Sequence, residues 1–310
     1  MLSPHRLATF TAVAAFVLLV IGGMVNATGS SLACPEPTVL CHKQLFPPMV
    51  DGVLYEHGHR LAAMTVGLLQ IALTILLAQR QHRKLGFLLL GMVIAQGALG
   101  AITVQYKLPW YVSTGHLLLA MSYFAMLIYT AFVTREPAAV RDQARHETRR
   151  LALGSARRWI GAACGAIFFQ LLLGALVRHL GAVLVCIGMP TCTPAGDWWG
   201  DIGIQHLHMI HRGFGVVVAI VTTIAAVKVA RRASSWPLLR MLAWIAPFLV
   251  IGQIALGVAT VLSMRSIPIA VAHFAGAESL WALWMSAWLL TGRRKSVQAA
   301  GVAERIAVAS

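Results

Sequence analysis

The sequence predicts an all-α polytopic membrane protein with eight transmembrane helices, arranged as two pseudo-symmetric four-helix bundles. Three observations predict it. Of 310 residues, 58% are hydrophobic and only 11% charged, where a soluble domain carries about 25% charged residues. The apolar residues are gathered into stretches of roughly 20, the length of a helix that crosses the hydrocarbon core. Short residue patterns then recur at a fixed offset along the chain. The net charge of +15 would suggest nucleic acid in a soluble protein. Here Lys and Arg sit in short loops between apolar runs, so membrane topology accounts for them and no nucleic-acid partner is expected.

The spans fall at about 8–26, 60–79, 85–104, 113–134, 158–177, 207–228, 239–262 and 269–291. Arg6 precedes the first, which takes part in the repeat and is therefore read as a retained helix rather than a cleaved signal. The connections alternate in charge. One side holds Arg6, then Arg80, Arg83 and Lys84, then the basic stretch from Arg135 to Arg158, then Lys228, Arg231, Arg232 and Arg240, and finally Arg293, Arg294 and Lys295. The other side has only Lys43, Lys107, Arg178 and Arg265 across four loops. The positive-inside rule puts both termini in the cytoplasm and the long loops, about 27–57 and 178–206, outside. Trp110, Trp198 and Trp199 near the outer ends suit an interfacial belt.

The repeat joins the two ends of the chain. Gly22-Gly23-Met24-Val25-Asn26 ahead of Cys34 matches Gly174-Ala175-Leu176-Val177-Arg178 ahead of Cys186, at an offset of 152 residues. The same offset relates His59-Arg60 to His211-Arg212. Beyond the next cytoplasmic loop it becomes 157, relating Gln96, Gly100, Thr103 and His116 to Gln253, Gly257, Thr260 and His273. The expected units are residues 1–134 and 158–310, each a four-helix half, joined by a basic cytoplasmic linker at 135–157.

Four of five cysteines lie in matching outer loops, Cys34 with Cys41 and Cys186 with Cys192. On the oxidising side of a membrane, two close pairs read as the disulfides Cys34–Cys41 and Cys186–Cys192; the competing reading is a metal site. Cys164 falls within a span as an apolar filler.

Of twelve histidines, His59, His116, His211 and His273 stand apart because they match across the repeat. Each opens an even-numbered span near the outer leaflet, so each half presents two imidazoles at similar depth. Two facing histidines are what six-coordinate heme iron takes, whereas zinc wants a third or fourth ligand; the bland alternative is packing. Arg60 and Arg212 follow ligand candidates and suit heme propionates, or else snorkel as interfacial charges. His57, His206 and His208 have no partner in the repeat, although His208 lies one turn from His211. Glu56, on the His59 face of its helix, has His208 as counterpart, so the acid exists in the first half alone. That asymmetry suggests chemistry in the first half and a passive heme in the second; the alternative is an acid favoured by a helix N-terminus. Glu278, matched by Met121, is a second intramembrane acid.

Taken together, Gly22-Gly23 with Thr28-Gly29-Ser30, Cys34/Cys41, Glu56-x-x-His59-Arg60, His116, Cys186/Cys192, His211-Arg212 and His273 closely resemble the heme A synthase family over nearly the whole chain. The resemblance implies oxidation of the C8 methyl of heme O to a formyl group, giving heme A for terminal oxidases. It implies that His59 and His116 meet the iron of the substrate heme O with Glu56 essential nearby, and that His211 and His273 ligate the iron of a heme b cofactor. It also implies a bacterial cytoplasmic membrane with heme sites toward the outer face, a heme O synthase and terminal oxidase assembly factors as associated proteins, membrane lipid, and an unidentified electron donor. The family often carries Arg where this chain has Asn26, while Arg178 keeps it in the second half. A bis-histidine diheme electron carrier explains the four histidines equally well but not the one-sided Glu56. A heme transporter or chaperone is the third class.

Overall fold

The computed structural model describes residues 3–135 and 140–292. Arg293, Arg294 and Lys295, and the linker positions 136–139, lie outside the described residues. Among those described, the chain forms nine α-helices, one short 3-10 turn and no sheet. The helices are α1 Pro4–Ala27, α2 Asp51–Ala78, α3 Arg83–Gln105, α4 Trp110–Val133, α5 Val140–Leu153, α6 Ala156–His179, α7 Gly203–Arg232, α8 Pro237–Leu262 and α9 Ile267–Leu290.

Seven of them, all but α5 and α9, are long and apolar enough to cross a membrane. The eighth expected span coincides with α9. It has 24 residues, enough to span, but spends several on His273, Glu278, Trp281, Trp284 and Trp288 rather than on aliphatic side chains. The basic linker is itself partly helical, as α5, where the sequence reading had only a polar connection.

Packing closes two rings of helices. α1 packs on α2 and α4, and α3 on α2 and α4; α6 packs on α7 and α9, and α8 on α7 and α9. The rings meet where α1 touches α9, α4 touches α6, and α4 touches α9. Between helices in lipid there is no hydrophobic drive, so close approach of backbones through small residues does more of the work. α1 accordingly buries Ala8, Ala12 and Ala15, while α3 fully buries only Gly86 and Leu89, with Leu85, Met92 and Val93 half-buried against the core.

Backbone details recur at the offsets seen in the sequence. α2 and α7 both start from extended caps, Val50 at φ −124° and Ile202 at φ −125°. α1 and α6 are both followed by a glycine in the left-handed region, Gly29 at φ 71° and Gly181 at φ 70°, the conformation that ends helices without a Cβ penalty. The α3–α4 and α8–α9 turns each carry two non-glycine residues there, Lys107 and Leu108 in one, Met264 and Arg265 in the other. Each turn is closed by one matched bond, Leu108 N–H to Thr103 O at 2.8 Å and Arg265 N–H to Thr260 O at 2.7 Å.

One buried network has no match. The Tyr123 hydroxyl donates to Gln70 Oε1 at 2.8 Å, Gln70 Nε2 donates to Thr74 Oγ1 at 3.0 Å, and Thr74 Oγ1 lies 3.1 Å from the Gly86 carbonyl. It ties α2, α3 and α4 together, whereas the repeat puts Thr222, Ala226 and Leu280 at the equivalent positions. Tyr123→Phe should leave Gln70 Oε1 without its donor and cost about 1 kcal/mol. Thermal unfolding of the detergent-solubilised protein reads this as a lowered midpoint; an unchanged midpoint would show that the bond adds nothing.

Candidate functional site

Each repeat-matched histidine lies in the N-terminal third of its helix with its ring against a glycine of the neighbouring helix. A Cβ added at Gly22 on α1 would stand 3.0 Å from His59 Cε1, and one at Gly100 on α3 would stand 3.3 Å from His116 Cε1. The corresponding distances are 3.2 Å from Gly174 on α6 to His211 and 3.1 Å from Gly257 on α8 to His273. These contacts are tighter than a side chain there would ordinarily accept, so glycine is what allows the rings to lie this close to the neighbouring helix.

One turn before each glycine stands a second recurring residue. Gln96 Nε2 donates to the His116 carbonyl at 3.0 Å, Gln170 Nε2 to the His211 carbonyl at 3.0 Å, and Gln253 Nε2 to the His273 carbonyl at 2.7 Å. The fourth position is Leu18, which has no amide. His273 Nδ1 also bonds the Gln253 carbonyl at 3.1 Å, and His211 Nδ1 lies 3.2 Å from Gln170 Nε2. His273 Nδ1, facing a carbonyl, can donate its proton and leave Nε2 as the free lone pair, the usual arrangement for an imidazole that ligates a metal. His59 and His116 lie within electrostatic reach of each other, as do His211 and His273. Two rings per ring of helices, each seated on glycine, fit axial ligation of heme iron.

Glu56 is buried, 4% exposed, and both its oxygens are engaged. Oε2 accepts the Cys34 backbone N–H at 2.8 Å and Oε1 accepts Arg60 Nη2 at 2.7 Å. Arg60 also donates to the carbonyls of Thr38 at 2.6 Å, Leu40 at 2.7 Å and Cys34 at 3.1 Å. The loop so gripped is closed by Cys34–Cys41, with S–S 2.05 Å, and its tip by Glu36, which accepts the His42 and Lys43 N–H groups at 2.9 Å each. Acid, arginine and disulfide loop therefore form one unit.

The second disulfide, Cys186–Cys192, is gripped the same way. Arg212 donates to the Gly188 carbonyl at 2.8 Å, the Thr191 carbonyl at 3.1 Å and the Cys186 carbonyl. No acid joins it: buried His208 occupies the place of Glu56. Met209 packs on this disulfide where buried His57 lies beside the first. Ligand atoms of Cys34, Cys41 and His57 all fall within 4.8 Å of one another, but the two sulfurs are bonded together. His57 Nε2 is meanwhile 2.9 Å from the Leu45 carbonyl. Arg60 and Arg212, expected beside propionates, have their donors on loop carbonyls in this arrangement.

Reading the sequence missed a clasp between the two rings of helices. Arg178, on the last turn of α6, donates to the Gly23 carbonyl at 3.1 Å and lies 4.9 Å from the Phe274 ring centre. Arg265 donates to Asn26 at both its carbonyl, 2.9 Å, and its Oδ1, 3.1 Å. A second arginine at position 26 would face Arg265, so the asparagine fits its surroundings; its departure from the Arg178 pattern was the available signal. His179 likewise ends α6 rather than lying in a loop, and its Nδ1 is 3.2 Å from Thr114 Oγ1. Glu278 is fully buried with neither oxygen hydrogen-bonded.

A family model described as cytochrome oxidase assembly protein, COX15-CtaA, matches residues 49–285. The chain is similar to the heme A synthase of Shouchella clausii, 28% identical over 277 residues that cover 84% of this chain and 87% of the relative. It is 25% identical over 301 residues to the heme A synthase of Bacillus licheniformis, covering 94% and 97%. Against that of Symbiobacterium thermophilum it is 28% identical over 240 residues, covering 73% and 78%.

Proposed function

The chain belongs to the cytochrome oxidase assembly protein family COX15-CtaA, and on that premise we propose that it is a heme A synthase. In this reading it is a multi-pass membrane oxidoreductase that oxidises the C8 methyl of heme O to a formyl group, giving heme A for terminal oxidases. The observation that carries the reading is Glu56: a fixed acid in one member of an otherwise duplicated pair of histidine sites.

The matched backbone details support a duplicated architecture. Residues 1–134 and 158–310 are two copies of a four-helix unit, α9 is the eighth span, and residues 135–157 link the halves. Both termini and the linker lie on the cytoplasmic side, with the histidine sites toward the outer face. Heme O enters from a heme O synthase, and the product goes on through terminal oxidase assembly factors.

In the first half His59 and His116 hold the iron of the substrate. The conversion is two successive two-electron oxidations, each replacing a C–H bond by a C–O bond with oxygen from dioxygen or water and an external oxidant taking the electrons: methyl to alcohol, then alcohol to a hydrated aldehyde that loses water. Glu56 supplies a fixed negative charge for the cationic character that develops at the reacting carbon, and an acceptor for its proton. Arg60 and the Cys34 N–H hold that carboxylate in place, so their task here is to position the acid rather than to meet propionates. In the second half His211 and His273 would hold heme b, which when bound supplies one-electron transfer. Arg212 keeps the loop over that site closed.

The test is acid extraction of heme, with chromatography and mass analysis, after co-expression with a heme O source in cells lacking heme A. Heme A or its hydroxymethyl precursor, with heme b retained, is expected. Heme b alone despite confirmed heme O supply would overturn the reading in favour of a diheme electron carrier. The same assay tests the loop: Cys34→Ser with Cys41→Ser should lower heme A formation at least about tenfold while second-half heme stays bound, because Glu56 loses its fixed partner at Cys34. Full activity of the double variant would separate Glu56 from the disulfide.

A further inference from the structure

The four histidine seats share a glycine under the ring and differ at the residue one turn before it. On α3, α6 and α8 the glycine under the ring is preceded, one turn earlier, by Gln96, Gln170 or Gln253, and each amide crosses to the carbonyl of the histidine it serves. On α1 the same place is Leu18, which carries no amide to reach the His59 carbonyl. His59 thus lacks the cross-helix bond that fixes the backbone of the other three.

This difference lies in the half where exchange is required. A cofactor stays in place from one turnover to the next, but a substrate heme must arrive and a product heme leave, so at least one iron–histidine bond in that half must break each cycle. We propose that His59 is the displaceable ligand of the substrate heme and His116 the permanent one, and that Leu18 is the positioning residue that sets this difference. The proposal rests on the heme A synthase reading for the identity of the exchanging heme. A clamped histidine resists the shift of its helix that would withdraw it, because that shift breaks a buried amide–carbonyl bond between helices. Leu18 removes that resistance while still filling the α1–α2 contact with an apolar side chain. Glycine under the ring is retained, so His59 keeps its docking place without being locked into it.

The experiment uses the full chain, purified and loaded with heme O, with excess apomyoglobin as acceptor and the Soret band following heme transfer. Leu18→Gln should slow release of heme O by about five- to tenfold and raise its low-spin fraction, with second-half heme unaffected. Leu18→Met, similar in size and lacking the amide, should behave as the wild type. Gln170→Leu should do the reverse, speeding release of the second-half heme by a similar factor. His59→Ala should retain heme O in a high-spin state, whereas His116→Ala should lose it. Equal release rates in wild type and Leu18→Gln, or retention by His116→Ala and loss by His59→Ala, would overturn the proposal. Extracted-heme analysis of the wild type runs beside it: absence of heme A there, with the release asymmetry intact, would count against the enzyme reading and leave the ligand assignment standing.

Discussion

Glu56→Gln should reduce heme A formation by at least about 100-fold, within the range that positioned acids and bases contribute. Glutamine keeps the volume and one oxygen, so it can still accept the Cys34 N–H now bonded to Oε2 at 2.8 Å. It removes the negative charge and the ion pair with Arg60 at 2.7 Å. The disulfide loop should therefore hold while the chemistry stops, and extracted heme should show heme O or its hydroxymethyl form with heme b at the normal level. A normal yield of heme A would remove Glu56 from the mechanism. Loss of both hemes would instead mean that the acid is needed to build the site. The reciprocal His208→Glu places an acid beside the second site; it should create no second synthase, because that half is built to retain its heme.

Removing the second-half ligands gives the other large effect. His211→Ala or His273→Ala should abolish heme b binding, seen as loss of its Soret and α bands, while heme O still binds the first half. Gly174→Ala and Gly257→Ala should approach the same result without touching a ligand. Their new Cβ atoms would stand 3.2 and 3.1 Å from the Cε1 atoms of His211 and His273, and each ring must move away from the backbone on which it rests. Gly252→Ala, on the same helix as Gly257 but with nothing within 4 Å of the new Cβ, is the control and should keep its heme. Full heme b occupancy in Gly174→Ala and Gly257→Ala would show that the rings do not need their glycine seats.

Periodicity and internal matching made the helices legible in advance, because a membrane helix must satisfy its backbone internally and cover itself with apolar side chains. Both constraints act residue by residue. α9 is the instructive exception: its His, Glu and Trp content lowers its apolar character, and its place rested on the repeat. The histidines were legible for the same reason, since duplication writes each one twice. Gln96 and Gln253 were visible as repeat matches, but their task was not. An amide reaching the carbonyl of a histidine on another helix depends on how two helices cross, and sequence spacing carries no crossing angle. Gln170 was missed because its counterpart is Leu18, so the repeat breaks at that position.

The charges were harder to read. Arg60 and Arg212 look like surface cations from their positions at helix mouths. Only the folded loops, looping back over them, supply the carbonyls that take their donors. Arg178, Arg265 and Asn26 meet across helices more than 150 and 230 positions apart in the chain, and no local pattern announces such a contact.

By itself, then, the sequence determined that this is a helical membrane protein, and it displayed a recurring pattern that singles out four histidines and one acid. Those are consequences of composition, period and repetition, which are properties of the chain. The tertiary structure decided what each of these groups rests on: glycine seats under the rings, glutamines behind three of them, and a disulfide loop holding Glu56. Those contacts join residues from different helices, and their geometry exists only once the helices have packed.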